Sequence, residues 1–140
     1  MKALLQIFDQ VPNLQVLAIG KEIQKVVKPL QESLGQSGGE IASFEFCSHS
    51  LEDMTLPNRK YEACIIYNLS HTDANFVPLL LKVYDSLETT ATVVFLNQSD
   101  RDLLFDLMPL LEEGKLQNAN SIDLIENHSL VVAKKLQMWV

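Results

Sequence analysis

The sequence is poor in several residue types, and each shortage removes a class of protein. It has two cysteines, Cys47 and Cys64, in 140 residues. They can form at most one disulfide, too few to staple a domain of this length. Cys64 lies inside an apolar run, where a small buried hydrophobe is favoured over a redox partner. Long apolar runs are also missing: residues 93–96, and 77–81 with Pro78 inside, fall far below the roughly 20 residues of a spanning helix. Gln6, Asp9 and Gln10 interrupt the run that a signal peptide requires. No membrane association and a cytoplasmic location are therefore expected. Bases are few, 11 Lys and Arg against 18 Asp and Glu, for a net charge of −7. That field repels phosphate backbones and no Lys/Arg stripe offsets it, so no nucleic acid is expected as partner. There is no G-x-S-x-G elbow, no H-E-x-x-H, no Walker loop and no C-x-x-C, so no catalytic residue is readable.

Apolar residues make up 47% and charged residues 21%, ordinary globular usage. The length predicts one domain over residues 1–140. Residues 1–10 fit a short amphipathic helix through Leu4, Leu5 and Phe8, broken at Pro12. Residues 14–20 read as a strand ending in a glycine turn. Residues 21–34 are helical by period, with Ile23, Val26, Val27, Leu30 and Leu34 in one stripe and Pro29 inside. Residues 41–46 alternate, with Ala42, Phe44 and Phe46 opposite Ile41, Ser43 and Glu45, the pattern of an edge strand. Residues 63–67 and 92–96 are nearly continuous apolar runs, as in central parallel strands covered on both faces. Helices are expected over 75–87, opened by a Ser70/Asp73 capping box, and from a Ser99/Asp102 box to about 113, with Gly114 as C-cap. Residues 121–125 and 129–133 close the chain as a hairpin. The alternation predicts an α/β fold: a three-layer, mostly parallel Rossmann-like sheet, helices on both faces, and a C-terminal antiparallel hairpin.

Four segments, in this order and spacing, make the chain resemble the class I S-adenosylmethionine-dependent methyltransferases. Val16-Leu17-Ala18-Ile19-Gly20 is similar to the first strand and first glycine of that family's cofactor loop. Glu52-Asp53-Met54-Thr55-Leu56-Pro57, then Tyr61-Glu62-Ala63-Cys64-Ile65, resembles its acidic-Leu-Pro loop and the opening of its fourth strand. Residues 79–87 with 93–96 resemble the next helix and fifth strand. Leu110-Leu111-Glu112-Glu113-Gly114 and the hairpin resemble its last helix and antiparallel ending. The family's loop is approximately acid-x-Gly-x-Gly-x-Gly. Here Ala18 stands at the acid, and Glu22 and Gln24 stand at the later glycines. Glu22 is expected to set bulk and negative charge where the cofactor's amino acid part lies. One strand–helix unit of the cofactor half is expected to be absent, or its strand merged with residues 41–46.

The resemblance names Gly20, Glu45, Glu52, Asp53 and Asn68 as the cofactor-binding candidates. Glu45 follows Gly20 at nearly the interval of a ribose-binding acid, and is otherwise an outward-facing residue of an edge strand. Glu52 and Asp53 match the acidic position beside adenine, or are plain loop carboxylates. Asn68, Ser70 and His71 lie where open α/β sheets bind ligands, or simply end a strand and begin a helix. His49 and His71 with Glu52 or Asp53 have the residue types of a metal site, but no i, i+4 spacing supports it and no metal is expected. Met138-Trp139-Val140 either packs back on the core or meets a second copy, making a homodimer or a protein partner the expected association. The expectation is thus a methyltransferase-like binding or assembly module, non-catalytic and without cofactor. The alternatives are an active methyltransferase with an atypical S-adenosylmethionine pocket, or another flavodoxin-like ligand binder.

Overall fold

Strand β1 (Gln15–Gly20) is buried along nearly its whole length, because its apolar run has a helix layer on either side. The computed structural model describes residues 13–35, 38–46, 51, 54–99, 101–122 and 127–136. After β1 come α1 (Gln24–Gly35), β2 (Glu40–Glu45), β3 (Tyr61–Tyr67), α2 (Phe76–Ser86), β4 (Leu87–Gln98), α3 (Leu104–Glu113), β5 (Gln117–Ser121) and β6 (His128–Lys134). The sheet order is β2-β1-β3-β4-β6-β5. The first four strands run parallel, and β6 and β5 add antiparallel. This is the expected α/β Rossmann-like fold with its terminal hairpin.

Side-chain alternation along the strands builds two cores. Val16, Ala18, Ala63, Ile65 and Val94 face α1 and meet Ile23, Val26, Val27, Leu30 and Leu34. Leu17, Ile19, Cys64, Ile66, Val93 and Phe95 face α2 and α3, against Phe76, Leu79, Leu80, Leu107 and Leu111. Burial pushes the Cys64 thiol pKa far up, so it stays protonated as a core side chain. Strand β2 keeps partly exposed residues and sits at the edge, as its alternation implied. Among the described residues no strand lies beyond β2, and only α1 separates it from β1. That agrees with the missing strand–helix unit. The chain goes outward from β1 to β2, then crosses back to β3 on the other side of β1. A crevice therefore opens at the C-terminal ends of β1 and β3.

Two local expectations are corrected. Neither capping box forms. Ser70 Oγ accepts the Thr72 N–H at 3.2 Å and Asp73 Oδ1 the Asn75 N–H at 2.9 Å, so Asn75 opens α2 with no side-chain cap. Ser99 Oγ likewise accepts from Arg101 N and Asp102 Oδ1 from Leu104 N. Short polar side chains close turns two residues onward more readily than they reach a helix amide. Second, the described strand before β6 is Gln117–Ser121, which begins earlier than the expected 121–125, and residues 123–125 of that expectation lie outside the described residues. It is an edge strand held to β6 by its backbone, with a register shift between Gln117 and Asn120, so its polar sequence carried no alternation to read. Gly114 is the C-cap of α3, as expected, at φ −80°, and Lys115 takes the left-handed turn at φ 67°.

Gly114 is required for a different reason. A Cβ there would stand 2.7 Å from Leu80 Cβ, where the end of α3 lies on α2. Gly114→Ala is expected to lower stability by about 1–3 kcal/mol through overpacking. Urea unfolding would show it as a lowered midpoint, and an unchanged midpoint would contradict that contact. The end of α2 is closed by Lys135, whose buried ammonium donates at 2.8 Å to both the Tyr84 and Leu87 carbonyls and lies 4.2 Å from the Tyr84 ring centre. Burial lowers its pKa below the ordinary lysine value. Among the described residues no helix is long and apolar enough to cross a membrane. The expected N-terminal helix and residues 138–140 lie outside the described residues.

Candidate functional site

Gly20 ends β1 at the crevice, and strand packing alone demands a glycine there. A Cβ on it would collide with the Tyr67 carbonyl oxygen and stand 2.8 Å from the carbonyl carbon. The same oxygen accepts the Lys21 N–H at 3.2 Å, tying the turn after β1 to the end of β3. The turn then passes through Glu22 at φ 56°, the left-handed region that glycine occupies freely. The loop thus keeps a glycine-type backbone path at a position where the family's loop has a glycine.

Glu45, the last residue of β2, closes this turn. Its carboxylate accepts the Glu22 N–H at 2.8 Å and the Ile23 N–H at 3.1 Å. Two amides just before α1 are therefore aimed at a negative charge, where backbone donors and the helix dipole favour one. Glu22 differs from its expectation. Its carboxylate lies along the first turn of α1, bonded to Lys25 Nζ at 2.8 Å, and that hydrogen bond raises the Lys25 pKa. Its charge has a partner, so the like-charge penalty foreseen for it is offset. Gln24 reaches across to Ser43 Oγ at 3.3 Å, toward β2. Ala18, at the family's acid position, is fully buried under α1.

Asn68 follows β3 in the left-handed region, at φ 53°. Its backbone N–H donates to the Leu96 carbonyl at 2.9 Å, and its Oδ1 accepts the Gln98 N–H at 3.1 Å. It clamps the ends of β3 and β4 together. Beyond it opens a cleft of about 360 Å³, lined among others by Asn68, Ser70, His71, Asn97, Ser99 and Arg101. Arg101 is paired with Asp106 at 2.6 Å. The structure thus brings Gly20 and Glu45 to one turn, with Asn68 at the neighbouring strand end. Glu52, Asp53 and His49 lie outside the described residues. Among the described residues no three His, Cys, Asp or Glu gather as a metal site. Sequence reasoning missed Asn97 and Arg101. The available signal was the abrupt polar end of an apolar strand, Val93-Val94-Phe95-Leu96-Asn97-Gln98.

No family model and no curated protein matches the sequence. Solved structures do match the fold. A SAM-dependent methyltransferase from Aquifex aeolicus superposes with a TM-score of 0.77 at 11% identity, covering 96% of this chain and 89% of that one. One from Archaeoglobus fulgidus gives 0.67 at 14% identity, over 96% of this chain and 90% of that one. The CurJ carbon methyltransferase gives 0.58 at 12%; 95% of this chain is covered, but only 51% of that one. The chain therefore has a class I methyltransferase-like fold, as the resemblance implied. The same finding overturns the expectation that no cofactor belongs here, because the neighbours are described as SAM-dependent. The physical reason lies in Glu22: the side chain foreseen as an obstacle is bonded to Lys25 instead.

Proposed function

We propose that this chain is an adenosyl-ligand-binding module on the methyltransferase fold, taking S-adenosylmethionine or its demethylated product at the C-terminal edge of β1 and β2. The observation that carries this reading is Glu45, an acid at the end of β2 whose carboxylate already meets the turn amides of Glu22 and Ile23. A carboxylate is an acceptor for ribose hydroxyls as it is for amide N–H groups. Glu45 is also exposed at the sheet edge, where a ligand can approach. In this reading Glu45 holds the ribose, and the turn from Gly20 to Ile23 lies beneath the amino acid part. S-adenosylmethionine would supply an activated methyl group. Several polar groups on the acceptor side hold turns: Asn68 Oδ1 takes the Gln98 N–H, Ser99 Oγ the Arg101 N–H, and Arg101 pairs with Asp106. That use of side chains supports binding over catalysis, and the two cysteines fit a cytoplasmic setting.

Calorimetric titration of the chain with S-adenosylmethionine and S-adenosylhomocysteine is expected to show saturable heat. Glu45→Ala is expected to weaken it at least tenfold, or about 1.4 kcal/mol. No heat at millimolar ligand, or full affinity in the variant, would overturn the reading. Transfer of a labelled methyl group to an acceptor fraction would instead establish an active methyltransferase with an atypical pocket.

A further inference from the structure

At the N-terminal ends of β3 and β4, opposite the turn after β1, a cleft of about 460 Å³ opens beside the end of α2. Lys135 reaches it from the end of β6 and is only 7% exposed, an uncommon place for an ammonium. The Tyr84 and Leu87 carbonyls take two of its three N–H donors, and among the described residues no oxygen takes the third. Arg59 lines the same cleft, in the left-handed region at φ 47°. Its guanidinium has no ion pair and no hydrogen bond among the described residues. The two cations act on each other: after burial, the Arg59 charge is the next cause that lowers the Lys135 pKa. Closing α2 accounts for two donors of Lys135, but not for a second cation set beside it.

The backbone is strained to hold Lys135 there. The Thr90 N–H donates to the Lys135 carbonyl at 2.7 Å, and the Lys135 N–H to the Ala91 carbonyl at 3.0 Å. Two residues of β4 thus face one, a β-bulge whose first position favours glycine. Thr90 fills that position at φ 72°, where a β-branched side chain is an outlier. Bulges re-aim side chains beside functional sites, and such strain persists only where the surroundings impose it.

We propose that this cleft is an anion site for a small monocarboxylate with an apolar body, held between the Arg59 guanidinium and the Lys135 ammonium. A guanidinium presents paired N–H donors that match the two oxygens of a carboxylate, and the remaining Lys135 N–H is left to meet one of them. The Tyr84 ring and Leu136 flank the cations with apolar surface for the rest of the ligand. Charge sets the valence. In the described lining the two cations face one acid, Asp85. Beyond it, Lys115, whose Nζ lies 5.5 Å from the Tyr84 ring centre, and Glu88 add one charge of each sign. A monoanion therefore balances the site, whereas a phosphate monoester dianion would leave negative charge in excess beside Asp85. The site lies at the other end of the sheet from Gly20 and Glu45, so it stands or falls separately from the adenosyl reading.

The test is an NMR titration of the 140-residue chain at neutral pH with benzoate, benzamide and phenyl phosphate, without any nucleoside present. Benzoate is expected to give saturable shifts at Arg59, Thr89 and Leu136, and none from Gly20 to Ile23. Benzamide has the same shape without the charge, and phenyl phosphate carries a charge too many. Each is expected to bind roughly tenfold or more weakly, as for a lost charge-assisted hydrogen bond. Arg59→Gln changes an exposed side chain and should weaken benzoate by a similar factor. Asp85→Asn should tighten it about threefold, the scale of an exposed ion pair. Lys135→Met should abolish binding; should it fail to fold, because Lys135 also closes α2, Arg59→Gln decides alone. Absence of saturable shifts at millimolar benzoate, or shifts at residues 20–23 instead, overturns the proposal. So does equal binding of benzamide or phenyl phosphate, or undiminished affinity in Arg59→Gln or in a folded Lys135→Met.

Discussion

Gly20→Ala is expected to leave the chain largely unfolded, or to cost it more than about 4 kcal/mol, among the largest effects a single substitution produces. The added Cβ meets backbone, since the Tyr67 carbonyl oxygen occupies its place. Gly20 and Tyr67 are register partners in adjacent central strands, so neither can move alone. Displacing β1 would break the Lys21 to Tyr67 bond at 3.2 Å and the Phe46 to Gly20 bond at 2.8 Å, loosening β3 and β2 together. A native stability of 5–15 kcal/mol, the usual range, leaves little after such a loss. Circular dichroism through a urea series would report it. A near-native midpoint would contradict the close approach of the two strands.

Phe95→Ala is expected to cost about 3–5 kcal/mol, the loss of a large buried ring plus the cavity left behind. Phe95 is fully buried in the middle of β4, and its ring centre lies 5.9 Å from that of Phe76 on α2. The sheet and α2 meet there, so collapse around the hole would require strand and helix to shift together. Phe105→Ala makes the matching control. That ring is 83% exposed on α3, and its removal is expected to change stability by less than about 0.5 kcal/mol. Equal effects of the two substitutions in urea unfolding would contradict the placement of the core.

The central strands were legible because burial on both faces forces a continuous apolar run, and 63–67 and 92–96 show one. Edge strand β2 was legible for the opposite reason, since its alternation records one wetter face. Strand β5 was not. It pairs with β6 at Gln117, Asn120 and Ser121 with a register shift between them, so its side chains show no regular alternation. The capping residues misled because Ser70, Asp73, Ser99 and Asp102 have local amides to bond before a helix end comes within reach. In the candidate site, Glu45 could be read as an acid at the end of an edge strand. Its bonds to Glu22 and Ile23 could not, because they depend on the turn folding back over β2. The outward path of Glu22 was equally hidden: charge and size are written in sequence, but direction is set by φ and by Lys25.

The most direct test of the adenosyl-binding claim is a crystal structure of the chain grown with S-adenosylhomocysteine. Ribose density on the Glu45 carboxylate at the C-terminal ends of β1 and β2 is the predicted result. Bound nucleoside at any other place, or a turn from Gly20 to Ile23 left bare at saturating ligand, would contradict it.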